Sequence, residues 1–508
     1  MTDTNQTDLA GINSSRLFAG SCLALISTSV AFGVVTSLME DFKSIFILSN
    51  EEAGWIGGAT IWGFTISIFI FGPLCDAIGM RRLMRFSLLC HIAGPILMIF
   101  ASGFWMLFSG GLIISLANGT VEAVCNPLVT TIYPDRKTEK LNQFHVWFPG
   151  GIVIGGLLAF GISMLDPAIW DSLPLAAWQA KLSLILVPTV IYGVLFTGQK
   201  FPVTERVQSG VSFGGMVQAT LFRPLFLVLF LCMGLTASIE LGPNRWMGEV
   251  MGTVMESFGG EHAGILVLVY GSGLMAILRF FAGPVVHRLS PTGLLVFSAV
   301  FSGVGLLCLT YTSGALAIFL SATVFYVGVC YFWPTMLGVA SERVPKGGAL
   351  ALGLLGGWGM AVVGLVTVPV MGMIVDHYGH DMLPYEKSRI CIEQGVELLP
   401  KVKESLDAGA NLNIDEAIAL IQAVSNDIKR DNALPKDTAK ALRSITRYAG
   451  NSEAGTKAQA IITPADDYGG LVSFRWVSAL SIFLVLCFGF LYIKDRARGG
   501  YKIEKIRS

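Results

Sequence analysis

The chain has 508 residues, 53% of them hydrophobic and 14% charged, with 35 basic residues balancing 35 acidic ones and a mean hydropathy of +0.65. That composition excludes an ordinary soluble domain, and zero net charge leaves no electrostatic footprint for a nucleic-acid partner. The nine cysteines fall almost all inside apolar runs, with no C-x-x-C and no metal-ligand spacing, so they read as small buried residues and not as a zinc or redox centre.

In chain order the apolar runs predict twelve membrane-spanning helices, each near the ~20 residues needed to cross a hydrocarbon layer. Residues 1–15 are polar, lack the basic start of a signal peptide and read as a tail. Spans 1 to 6 are expected at roughly 16–39, 52–75, 83–102, 105–133, 143–165 and 177–197, making 16–197 an amino-terminal half, followed by a linker over 198–221. Spans 7 to 11, at roughly 222–244, 262–284, 292–311, 314–338 and 348–375, occupy 222–376. The polar stretch 377–469 reads as an inserted helical module: Asn413 is a candidate N-cap, Ile414, Ala417, Ile418, Ile421 and Val424 follow at helical spacing, and a second amphipathic helix follows Pro435. Span 12 is expected at 470–493, with a basic tail at 494–508.

Lys and Arg gather in alternate loops, at Arg81, Arg82 and Arg85, at Arg136, Lys137 and Lys140, at Lys200 and Arg206, at Arg288, at Arg343 and Lys346, and in the last residues. By the positive-inside rule both termini are expected in the cytoplasm and the insertion outside, in a multi-pass protein of the plasma (inner) membrane. GPLCDAIG (Gly72 to Gly79) and GPVVHRLS (Gly283 to Ser290) sit at the same point of each half and are both expected to end a helix at Gly-Pro. A second echo pairs Asn126-Pro127 and Gly150 with Trp333-Pro334 and Gly357. Together they predict two six-span repeats.

The run GPLCDAIGMRR, with Gly72, Asp76, Gly79, Arg81 and Arg82, resembles the signature loop of the major facilitator superfamily. The resemblance implies an all-α fold of twelve helices in two pseudo-repeats. It also implies a gate in which Asp76 caps a helix end or pairs with a basic residue, and Arg279 near the end of span 8 is expected to pack with that gate.

NGTVEAVCNP (Asn118 to Pro127) places a carboxylate in an oily helix. Asn118, Glu122 and Asn126 follow at i, i+4 spacing, so they share a face that should avoid lipid, and Pro127 removes one backbone hydrogen bond beside the acid. Such a face can hydrogen-bond a hydroxylated solute, and a desolvated carboxylate is suited to load and release a proton; the alternative is that Glu122 pairs with a buried Arg or Lys. This stretch, with Pro134, Leu141-Asn142 and Gly150-Gly151, resembles the fourth and fifth spans of the fucose:proton symporter family and its glucose and galactose permease relatives. TASIELGPNRWM (Thr236 to Met247) resembles the seventh span of that family, with Glu240 six residues before Trp246 and Asn244 between them. There Glu240 either lines the cavity or pairs with Arg245.

Trp62, Tyr326, Tyr331, Trp333 and Trp358 are candidates to stack on a sugar ring or to fill the core, whereas His91 and His145 read as packing residues more readily than as proton relays. The sequence departs from the family in span 1, where Thr36 stands at the position of its acid. The resemblance implies a monomeric secondary transporter in the lipid bilayer, moving a small solute, most simply a sugar, with H+ or Na+ as coupling ion and no other cofactor. A carrier of an organic acid, drug or amphiphile, and a non-transporting sensor acting through 377–469, are the alternatives. No nucleophile, base and acid cluster and no phosphate loop suggests an enzyme.

Overall fold

The computed structural model describes residues 11–46, 48, 50–244, 247, 263–312, 314–405, 414–450 and 452–506. Among them all regular structure is helical. Eleven helices are long and apolar enough to cross a membrane, and a twelfth is made if Val269–Phe280 and Ala282–Leu289, bent by 62°, count as one span. Arg16 at the start of span 1 donates to the Leu195 carbonyl at the end of span 6, and Glu504 accepts from Arg223 just before span 7, so both ends of the described chain lie on the face that carries the linker. We call this the linker face.

Small residues set the helix crossings, as expected where close backbone approach replaces the hydrophobic drive for association. Within the amino-terminal half, Gly63 of span 2 sits against Leu112 and Ser115 of span 4, and Gly119 of span 4 lies against Phe64 and Ser67. Between the halves, spans 2 and 11 cross backbone to backbone: a Cβ on Gly72 would stand 2.8 Å from the Cα of Gly353. Span 5 meets span 8 at Gly150 and Ala276.

The two halves repeat in their backbone turns. Gly79 and Ser290 start spans 3 and 9 with positive φ, 91° and 65°; Gly103 and Gly314 are the N-caps of spans 4 and 10; Tyr133 and Val344 close those spans at nearly equal dihedrals. All three pairs keep the separation of Gly72 and Gly283. The echo of Asn126-Pro127 with Trp333-Pro334 lies one helical turn out of this register, and Gly-Pro does not end span 2 either. Pro73 lies inside the helix Asn50–Ile78, and the chain turns at Gly79, where a glycine tolerates the left-handed backbone.

Beyond span 11 the helices Tyr385–Ser405, Ile414–Asp431 and Thr438–Ala449 pack on the first turns of Glu453–Ala497 around Ile392, Leu399, Ile421, Leu442, Ile445 and Ala458. Burial in this layer pushes the Cys391 thiol up to about 11, so it packs as an inert apolar group. Two features depart from the sequence reading. Tyr385–Ser405 went unread, although Ser388, Cys391, Ile392, Gly395 and Leu399 bury one face of it. Span 12 has no start at residue 470: one helix runs through Pro464, Gly469 and Gly470 from Glu453 to Ala497. Asn413 lies outside the described residues.

Arg443 fastens this layer to the bundle by donating to Asp376 at the end of span 11 (2.8 Å) and to Asp466 at the head of span 12 (2.6 Å). These partly exposed pairs are worth roughly 1 kcal/mol each at most. Arg443→Ala is expected to speed amide exchange across 438–449 by up to about tenfold while the membrane spans stay protected. Unchanged exchange there would mean that apolar packing alone holds the layer.

Candidate functional site

Span 4 is enclosed on all sides from Ala117 to Ile132. Asn118, Glu122 and Asn126 nevertheless do not point to one place, because each four-residue step turns the helix about 40° past a full revolution, leaving Asn118 and Asn126 about 80° apart. Asn118 Oδ1 is bonded to His91 Nε2 at 2.7 Å, and His91 Nδ1 to the Tyr192 hydroxyl at 3.0 Å. This chain joins spans 3, 4 and 6 inside the amino-terminal half, so Asn118 is committed to packing and does not join Glu122.

Glu122 and Asn126 do act together. The Asn126 amide donates to Glu122 Oε2 at 2.6 Å and to the Glu122 backbone carbonyl at 2.9 Å. That fixes the orientation of the amide, so its Oδ1 accepts from His145 Nε2 at 3.0 Å, and the same nitrogen lies 3.9 Å from Glu122 Oε2. The carboxylate is about 4% exposed and His145 2%.

Across the interface stands a second buried group. Arg279 of span 8 donates through Nη2 to Glu240 Oε1 of span 7 at 2.8 Å, through Nε to the Cys330 carbonyl of span 10 at 2.5 Å, and through Nη1 to the His145 carbonyl at 3.1 Å. The last bond crosses from one half to the other. Trp333 of span 10 lies near both acids, while Glu240 Oε2 is buried and takes no hydrogen bond among the described residues. Two buried carboxylates thus share one guanidinium, which is bonded to Glu240. Glu122 is met by the Asn126 amide, with the His145 imidazole at 3.9 Å, and has no guanidinium of its own.

Several sequence expectations are corrected here. Arg279 belongs to this central cluster and not to the linker-face contacts, because a buried cation needs a counter-ion and Glu240 supplies it. Glu240 therefore pairs with Arg279; Arg245 and Trp246 lie outside the described residues. Asn244 Nδ2 donates to the Glu240 carbonyl at 2.7 Å, covering an acceptor freed where the helix Pro224–Leu241 ends. Trp333 packs over Gly359 and is 8% exposed, while Trp358 is stacked on Phe230 at 4.8 Å, so one of its faces is occupied. The His145 side chain packs within its own half on Asn126, in line with the sequence reading, and its backbone carbonyl adds a contact to Arg279 across the interface that no local pattern marks.

Toward the linker face the halves are pressed together. Lys137 donates to Glu205 Oε2 at 2.5 Å and to the Ser341 carbonyl at 3.4 Å. The backbone and hydroxyl of Thr138 both donate to Glu342 Oε1 at 2.9 Å, and Thr138 packs on Gly338. Asn142 Nδ2 donates to the Thr335 hydroxyl at 3.3 Å, and Glu139 meets His287 at 3.3 Å and also binds Arg136. Asp76 accepts from the Thr204 hydroxyl at 2.6 Å and from Arg206 Nε at 2.7 Å, so its basic partner comes from the linker. Arg81 and Arg82 stay exposed, with Arg82 reaching only the Ile78 carbonyl at 3.5 Å. Gly72 serves the crossing with Gly353 and Gly79 the turn.

Two six-helix halves around a polar centre, closed on one face by contacts that join the halves, follow the parallel-repeat plan found in many secondary transporters. A profile of the Major Facilitator Superfamily matches residues 17–366, and the chain belongs to that family. Myo-inositol transporter 1 of Candida albicans is 24% identical over 151 residues, 30% of this chain and 26% of that protein. The cis,cis-muconate transport protein of Acinetobacter baylyi is 22% identical over 345 residues, 64% of this chain and 76% of that one. The chain spans between about a quarter and about a half of the length of several curated relatives that it matches. The crystal structure of the E. coli fucose:proton symporter FucP shares the fold, with a TM-score of 0.55 at 19% identity over 71% of this chain and 92% of that one.

Proposed function

We propose that the protein is a secondary active transporter of a small, uncharged, polyhydroxylated solute, a sugar or polyol, driven by a proton or sodium gradient. The observation that carries this reading is the presence, at the interface of the halves, of Glu122, held by neutral partners, beside Glu240, whose Oε1 is paired with Arg279 while its buried Oε2 takes no hydrogen bond among the described residues. Glu122 and Asn126 offer acceptors and a donor to hydroxyl groups, Trp333 offers an indole for the apolar side of a ring, and Glu122 takes the coupling ion. From the carboxyl-terminal half Trp358 offers the solute the face that Phe230 leaves uncovered. Solute binding replaces the bonds within the cluster, and rocking of the halves parts the linker-face gate built on Gly72, Asp76 and Gly79.

The muconate carrier among the relatives raises an organic acid as cargo. The pairing of Arg279 with Glu240 weighs against it, because an anion would have to displace a buried carboxylate from its counter-ion. The Lys and Arg distribution supports an orientation with the linker face in the cytoplasm; a plasma-membrane location and a monomer belong to the same proposal.

Counterflow in proteoliposomes with radiolabelled hexoses, myo-inositol and a dicarboxylate tests the reading. Exchange is expected with a neutral polyhydroxylated compound, and uphill uptake is expected to collapse with an ionophore for the coupling ion. Exchange of the dicarboxylate alone would replace the sugar reading with the organic-acid one. Saturable binding without exchange would point to a sensor.

A further inference from the structure

We propose that residues 498–506 form a strap that latches the linker-face gate shut through Glu342. The helix of span 12 ends at Ala497, and Gly499 and Gly500, with φ of 82° and 105°, turn the chain back beneath the bundle. A side chain is disfavoured at both positions, so the reversal is written into the sequence.

Beyond this turn the segment makes specific polar contacts. The Tyr501 hydroxyl donates to Glu342 Oε2 at 2.7 Å, and the guanidinium of Arg343 lies over the Tyr501 ring, 4.3 Å from its centroid. The Glu504 backbone N–H donates to the Glu342 carbonyl at 2.8 Å, and the Glu504 carboxylate takes Arg223 Nη2 on both oxygens at 2.7 Å. Burial and the adjoining Glu342 carboxylate hold the Tyr501 phenol protonated well above the usual tyrosine range, consistent with its role as donor.

Glu342 is the junction. Its Oε1 binds Thr138 of the amino-terminal half and its Oε2 binds the strap, so one carboxylate joins the loop after span 4, the end of span 10 and the carboxyl end of the chain. Arg223, the N-cap of the helix Pro224–Leu241, ties the same strap to the start of span 7, where the linker ends. When the gate opens, Thr138 must leave Glu342. A strap that holds Glu342 in place, with its second oxygen satisfied, stabilises the closed arrangement and slows that departure. The inference goes beyond the transport reading and does not depend on which solute is carried.

The test uses the full chain in lipid nanodiscs with a reporter cysteine at Ser341, which is buried in the closed gate, and follows its modification by a water-soluble maleimide. Three forms are compared: the intact tail, a truncation after Arg498, and Tyr501→Phe combined with Glu504→Gln. Loss of two charge-assisted contacts is expected to raise the labelling rate about tenfold or more in both altered forms. A charge exchange, Arg223→Glu with Glu504→Arg, is expected to return the rate toward that of the intact tail, whereas Arg223→Glu alone stays fast. Equal labelling in the intact and doubly substituted proteins, both monodisperse and equally stable to heat, would overturn the proposal. Should the truncation fail to fold, the double substitution and the charge exchange decide it.

Discussion

Replacing Arg279 with methionine is expected to destabilise the protein by about 3–5 kcal/mol, the usual cost of leaving a buried charge without its partner. Arg279 Nη2 and Glu240 Oε1 are 2.8 Å apart, and both side chains are less than a tenth exposed. Removing the guanidinium strands Glu240 and also frees the carbonyls of Cys330 and His145. Arg279→Met combined with Glu240→Gln removes both charges at once and is expected to recover most of the lost stability. Thermal unfolding of the purified protein in detergent checks this by double-mutant cycle. A single substitution as stable as the parent would show that water reaches Glu240 and that the pair is not buried in solution. Transport is expected to stay low in the recovered double variant, because the bond from Arg279 to the His145 carbonyl is still missing.

The second large effect is on coupling. Glu122→Gln keeps the shape and one acceptor but can bind neither a proton nor a cation by charge. One charge moved through 100 mV supplies about 2.3 kcal/mol, a concentration ratio of about fiftyfold. The wild type is expected to approach such accumulation, and the variant to fall to about equal concentrations inside and out while keeping solute exchange within a few-fold. Uphill uptake that survives the substitution would remove Glu122 from the coupling step and leave His145 as the nearest remaining titratable group in that half. A variant that also loses exchange would assign Glu122 to the solute as well.

The spans were legible because hydropathy is a local property, and so was the Glu122–Asn126 contact, since i, i+4 neighbours meet within one helix. Asn118 was over-read for the same reason: sequence spacing ignores the drift of 3.6 residues per turn. The meeting of His145, Arg279 and Glu240 was not legible, for it depends on where two halves of the chain dock and leaves no periodic mark in either. Asp76 resembled a gating acid, but its partner Arg206 lies in a linker whose course hydropathy does not describe. Hydropathy places the start of span 12 at residue 470, yet Gly469 lets the helix lie against the backbone of Val375, so the helix continues through that point from Glu453.

That unbroken helix also limits how the protein can be handled. At 45 residues it is about 68 Å long, roughly twice the hydrocarbon thickness, and Arg443 splints its outer part to span 11. The insertion is therefore a lever arm rooted in the carboxyl-terminal half, whose tip magnifies any rocking of that half. A probe pair with one member on helix Ile414–Asp431 and the other on the amino-terminal half tests the proposed rocking, which is expected to appear as a long-range distance change. Excising the layer as though it were a loop would cut the arm at its root and shorten span 12.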